Sequence, residues 1–151
     1  MRLRPATIRR FRYLIFFGGL FNILIASPLM IPGAADSYLF FLSDINASMH
    51  LGGLPYVRPL NPAHALLINT AGIDLVLIGA LVLYAALDPD QRQGILLLNA
   101  LGRLLFSAVA AYYVLTASLM PLVLAPALVD VLISLGFLRF LFLLSGRGSG
   151  W

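Results

Sequence analysis

Four stretches of this chain are apolar for long enough to cross a lipid bilayer, at about 11–31, 63–87, 94–118 and 119–144. A spanning helix needs about 20 consecutive apolar residues, because each adds about 1.5 Å across a hydrocarbon layer about 30 Å thick. A soluble domain of 151 residues has too little interior to hide four such runs. Composition agrees: 61% of the residues are hydrophobic and only 11% are charged, where a soluble domain carries about a quarter charged residues. Backbone polar groups inside lipid must be satisfied within their own segment, which favours helices. The expected fold is therefore all-α, an integral membrane four-helix bundle forming one domain over 1–151.

The connections are unequal. Asp88-Pro89-Asp90 and Gln91-Arg92-Gln93 make a short polar turn between the second and third spans. Asp88 is expected as the N-cap and Pro89 as the first residue of the third helix. Ser118 to Pro121 makes another tight turn. The only long connection, about 32–62, is expected to leave the membrane as an outer loop with a short interfacial helix across Ser37 to Asp44. Tyr38, Phe40, Phe41 and Tyr56 suit the headgroup boundary, as do Tyr84, Tyr112 and Tyr113. Asn46-Ala47-Ser48 matches a glycosylation triplet that chance often supplies. Ser27-Pro28 and Pro126 are expected to kink the first and fourth helices.

Arginine placement orients the bundle. Every cation is Arg and every anion is Asp. Arg2, Arg4, Arg9, Arg10 and Arg12 lie at or just before the first span, Arg92 sits in the short turn and Arg147 follows the last span, while the long loop carries only Arg58. Cationic flanks stay on the cytoplasmic side, so both termini and the short turn are expected there. Arg139 falls on the side of the last helix away from Asp130 and is expected to snorkel to the same surface. The basic start, the apolar run and Pro32-Gly33-Ala34-Ala35 also resemble a cleavable signal peptide. The run is longer than a usual signal core, and the first span is expected to be retained.

The polar residues inside the spans carry most of the information. Asn22, Asp74, Arg103 and Asp130 give each helix one strongly polar group at similar depth. A charge at the bilayer centre costs about 2.5–3.5 kcal/mol or more, so these groups are expected to face one another, with Arg103 pairing Asp74, Asp130 or both. Helical spacing extends the pattern into stripes: Gly18-Asn22-Ala26, Thr70-Asp74, Asn99-Arg103-Ser107 and Pro126-Asp130-Ser134, each stepping by four. The cluster Asn22, Asp74, Asn99, Arg103 and Asp130 reads equally as a structural ion-pair network or as a binding site or proton path. Two carboxylates about one arginine leave an excess negative charge, which one aspartate can cancel by holding a proton.

Several chemistries find no support. The chain has no cysteine, so disulfides and thiolate metal sites are excluded. No basic helix or aromatic motif points to nucleic acid. No nucleophile–base motif, phosphate loop or dinucleotide fingerprint proposes a reaction, and no enzyme activity or metal is expected. His50 in the loop and His64 near the start of the second span lack metal-ligand spacing. They are expected as interfacial residues, with haem, pigment or quinone contact as the alternative. The cofactor is left open.

Gly72-Ile-Asp-Leu-Val-Leu-Ile-Gly79, Tyr84-Ala-Ala-Leu-Asp-Pro89, Arg92 and Leu101-Gly-Arg103 together resemble small bacterial four-helix membrane proteins of the DoxX-like or BphX-like kind. Asn22, Asp88-Pro89 and Gly102-Arg103 match the motif positions, across about two-thirds of the chain, and the long loop departs from the pattern. The resemblance implies a bacterial inner membrane and an accessory role. The expected function is thus an accessory subunit packing against a larger membrane complex or a homo-oligomer. The alternatives are a small-solute or proton carrier working through Asp74, Arg103 and Asp130, and a pigment, haem or quinone binder.

Overall fold

The computed structural model describes residues 5–145 and is all-α. Among these residues are five α-helices: α1 (Pro5–Ala26), α2 (Ala34–Ser48), α3 (Pro62–Leu87), α4 (Gln93–Thr116) and α5 (Leu124–Ser145), the last preceded by a 3-10 turn, Pro121–Val123. Arg2, Arg4 and Arg147 lie outside the described residues. Three helical stretches are long and apolar enough to cross a membrane: Pro62–Leu87, Gln93–Thr116 and Pro121–Leu144.

The first span departs from expectation. Helix α1 stops at Ala26, and the chain turns with Leu29 N–H donating to the Ala26 carbonyl at 2.9 Å. Pro28 has no N–H to continue the helical ladder, so the run to residue 31 is broken and not merely kinked. At its other end α1 includes Arg9, Arg10 and Arg12, which shortens its apolar part. Pro126 does not interrupt α5 either. It lies in the first turn, where the missing N–H has little helical partner to lose. Asp88 caps the C-terminus of α3, α4 begins only at Gln93, and the Asp88 carboxylate accepts from Gln91 N–H at 3.4 Å. An aspartate that bonds its own turn is not free to start the next helix.

Two helix pairs form the body, α1 against α3 and α4 against α5, while α3 and α4 touch only sparingly. Glycine sets the first pair. A Cβ on Gly19 would lie 2.8 Å from the Gly79 carbonyl oxygen, and one on Gly79 would lie 2.8 Å from that of Gly19. Seven residues before Gly79, a Cβ on Gly72 would meet the backbone of Leu29 and Met30 at 2.5–2.6 Å. Without hydrophobic drive between helices in lipid, such close backbone approach is what holds a pair together. The apolar core gathers toward one end, where Phe11 stacks on Phe140 with ring centroids 3.5 Å apart and Ile15, Val82, Leu96 and Phe137 fill the space. The Arg12 Nε donates to the Ala86 carbonyl at 3.0 Å, and the Arg92 guanidinium sits 3.6 Å over the Tyr84 ring. The start of α1, the end of α5 and the α3–α4 turn therefore share one end of the molecule.

At the opposite end the long loop is folded, not loose. Its helix spans Ala34–Ser48, longer than the predicted stretch. Asn46, 5% exposed, donates to the Gly52 carbonyl at 2.7 Å and accepts from Leu122 N–H at 3.1 Å, which ties α2 to the start of α5. With both ends of its amide engaged, this asparagine is a structural link and not a presented glycosylation site. Leu54 N–H donates to the Ser118 carbonyl at 2.7 Å. Gly53 allows that approach, since its φ is +80° and a Cβ there would lie 2.8 Å from the Met120 Cα. The Tyr56 hydroxyl donates to Asp36 at 2.6 Å, Arg58 pairs with the same carboxylate at 2.9 Å, and the Phe40 ring packs edge-on against Tyr56.

Two outcomes follow from this packing. Gly79→Val is expected to force α1 off α3 and to lower stability by about 1–3 kcal/mol, the usual range for overpacking. Gly94→Ala, whose Cβ meets open space, should leave stability unchanged or raised. Thermal unfolding in detergent separates the two, and equal melting temperatures would show that backbone contact does not set the crossing. Desolvation, then the Asp36 carboxylate, push the Tyr56 hydroxyl from 10.0 up to about 12. Because the folded state holds this proton more tightly, the stabilisation is whole below about pH 10 and fades as pH climbs toward 12. Ultraviolet titration should show a late tyrosine step that Tyr56→Phe removes. Loss of a different step would place the effect elsewhere.

Candidate functional site

Arg103 organises the polar interior. It lies at the middle of α4, is 4% exposed, and spreads its guanidinium over three helices. Its Nε donates to Asn99 Oδ1 at 2.8 Å within α4, its Nη2 donates to the Gly18 carbonyl of α1 at 2.7 Å, and its Nη1 pairs with the Asp130 carboxylate of α5. Guanidinium geometry makes this possible, because five N–H groups in a rigid plane can serve several acceptors at once. Gly18 provides the opening: a Cβ there would already lie 3.1 Å from Ile133 and 3.2 Å from Phe137.

Two serines reinforce the frame. The Ser107 hydroxyl lies 2.8 Å from the Arg103 carbonyl and 2.9 Å from that of Ala127, and the Ser134 hydroxyl lies 2.7 Å from the Asp130 carbonyl and 3.1 Å from that of Ala100. Each shares its single proton between its own helix and the facing one, sewing α4 to α5 above and below the charge pair. A buried ion pair is held better when further hydrogen bonds satisfy its groups, and here Asn99 and the Gly18 carbonyl take two more guanidinium N–H groups.

The predicted cluster is thus assembled in part. Asn22, Asn99, Arg103 and Asp130 are all buried together, as the stepping by four indicates. Asp74 is not among them. It is exposed on α3, with no hydrogen bond or ion pair among the described residues. The reason is angular. Residues advance about 100° around a helix, so Asp74 lies some 160° from Gly72, and α3 cannot turn both inward. The glycine face, which needs backbone contact, wins. With Asp74 outside, Arg103 and Asp130 balance, and the excess negative charge expected from two carboxylates does not arise.

Beside this network lies a partly enclosed cavity of about 530 Å³. Phe21 and Ile25 of α1, Ile78 of α3, and Leu98 and Phe106 of α4 form its apolar walls, and Asn22, Asn99, Arg103 and Asp130 are its polar lining. It occupies the place where α3 and α4 fail to pack. His50 and His64 are both exposed and line no part of it. His50 ends α2 in a left-handed conformation, and His64 sits in the first turn of α3. Among the described residues no three His, Cys, Asp or Glu side chains gather as a metal site. Asn69 was missed by sequence reasoning. Its Nδ2 donates to the Leu29 carbonyl at 2.7 Å, serving an oxygen in the turn around Pro28. An asparagine one turn from the Gly72 contact was the available signal.

Arg103→Leu leaves the Asp130 carboxylate buried and unpaired, at an expected cost of about 3–5 kcal/mol. Adding Asp130→Leu should recover most of that loss. Unfolding in detergent across the double-mutant cycle reads the coupling. A double variant no more stable than the single one would assign the cost to the Asn99 and Gly18 bonds instead.

Comparison with protein-family models, with curated proteins and with solved structures gives no match.

Proposed function

We propose that this chain is an accessory subunit that seats the outer face of α3 against a transmembrane helix of a larger membrane complex. Asp74 carries the reading. It stands at the centre of a helix long enough to span a bilayer, exposed and without a partner among the described residues. A charged group facing lipid at that depth costs about 2.5–3.5 kcal/mol, and a donor on a neighbouring helix removes the cost. The same face presents Thr70 one turn away and Leu77, 58% exposed. Only 17% of the apolar stretch of α3 is buried, against 33% and 39% for the stretches in α4 and α5. Of these three stretches, the least covered is the one that exposes a carboxylate.

Within this proposal α1 is a fourth, shorter span, supported by its backbone contact with α3. Arg9, Arg10, Arg12 and Arg92 gather at the end that carries Pro5 and the end of α5, which supports a cytoplasmic placement of that end. The DoxX-like resemblance supports a bacterial inner membrane. A carrier working through Asp74, Arg103 and Asp130 has less support, because Arg103 and Asp130 satisfy each other and Asp74 stands apart.

Gentle extraction from native membranes, followed by mass spectrometry of co-eluting proteins, tests the reading. The natural chain is expected to elute in fixed ratio with a larger membrane protein. Asp74→Leu should elute alone while keeping its melting temperature. A natural chain that elutes as a monomer or as a dimer of itself would overturn the accessory role.

A further inference from the structure

The cavity beside Arg103 is lined by a polar side chain that makes no hydrogen bond within the fold. Asn22 is only 9% exposed, lines the cavity, and its side-chain amide has no hydrogen-bond partner among the described residues. No side-chain nitrogen or oxygen among those residues is both sealed off and unbonded, so the amide's polar atoms open onto the cavity. A buried amide left without a partner costs about 1–3 kcal/mol, and neither lipid tails nor the apolar walls can supply one. Asn99 adds a second free donor. Arginine can only donate, so the Asn99 atom it meets must be the oxygen, and the Asn99 NH₂ remains unspent.

We infer that the cavity binds an uncharged, lipid-soluble molecule whose ring bears carbonyl oxygens, held by the side-chain amides of Asn22 and Asn99. Three properties of the site select this class. The unspent N–H groups of Asn22 and Asn99 at its polar lining can serve acceptors on the ligand. The charges there are already matched, Arg103 with Asp130, so an anionic or cationic head would enter the cavity without a counterion of its own. The lining also sits at the middle of α4, deeper than the surface to which charged lipid headgroups are confined, so the ligand must be one that is stable within the hydrocarbon layer. A volume of about 530 Å³ between Phe21 and Phe106 suits one ring with part of a tail. The inference is independent of what packs on α3.

The test uses the full chain in nanodiscs with decylubiquinone, a neutral ring dione, as the probe. Decanoate, decyltrimethylammonium and dioleoylglycerol serve as comparison probes. Decylubiquinone is expected to bind saturably and raise the melting temperature, and the two charged probes to do neither. Gly102→Phe provides a variant that fills the cavity, since Gly102 lines it and a Cβ there meets nothing within 4 Å. That variant should melt no lower than the natural chain without ligand and lose at least about tenfold in affinity, which in free energy is about 1.4 kcal/mol. Asn22→Leu should lose a similar factor while remaining folded. Undiminished binding to both variants, or no saturable binding to the natural chain, would overturn the site. Binding of decanoate as tight as that of the dione would overturn its neutrality. Preference for dioleoylglycerol over the dione would overturn the ring class and assign the cavity to a bilayer lipid.

Discussion

The buried polar side chains at the middle of the bundle, Asn22, Asn99, Ser107, Asp130 and Ser134, gather around one guanidinium. Arg103 reaches a carbonyl on α1, a carboxylate on α5 and an amide on its own helix, so three of the helices cannot shift past one another without breaking a bond that water is not there to replace. That constraint explains features that look unrelated. Gly18 lets α1 lie close to Ile133 and Phe137 of α5, which a Cβ there would crowd at 3.1–3.2 Å. Ser107 and Ser134 stand four residues along from Arg103 and Asp130 on their own helices, because a hydroxyl there can bond its own turn and the facing helix together. Apolar helices in lipid have no strong preference for one register over another, and the buried ion pair supplies one.

The second constraint is steric and governs the other half of the bundle. Gly19 and Gly79 bring the backbones of α1 and α3 into contact, and Gly72 meets the turn that follows α1, so the rotation of α3 is fixed before its polar residues are considered. Competition between the two constraints decides where Asp74 goes. Had α3 been placed by its charge, Asp74 would face Arg103 and the cavity between α3 and α4 would close. Placed by its glycines, α3 leaves both the carboxylate and the cavity unfilled, and these are the two features to which a functional role is assigned above.

The parts of this structure readable from sequence are those set by repetition. Apolar length located α3, α4 and α5 to within a few residues, and stepping by four identified three of the four inward stripes. What escaped was decided by single residues in competition. Pro28 ends α1 early although the surrounding run is apolar throughout. Asp74 and Gly72 sit two positions apart and demand opposite faces, and periodicity alone cannot rank a buried charge against a backbone contact. Asn46 resembled a modification site because its triplet is local, whereas its partners, Gly52 and Leu122, come from a loop and a distant turn.

The packing is also uneven along the bundle axis. Aromatic and branched core residues fill the end that carries the described ends of the chain, while toward the other end α3 and α4 are mostly exposed. The bundle is thus closely packed at one end and opens between α3 and α4 toward the other, with Arg103 near the middle of α4. At the open end, Asn46, Leu54 and Leu119 fasten the loop to the α4–α5 turn. The seam between α3 and α4 is therefore the least tethered line in the bundle, since neither the glycine contacts nor the bonds of Arg103 cross it.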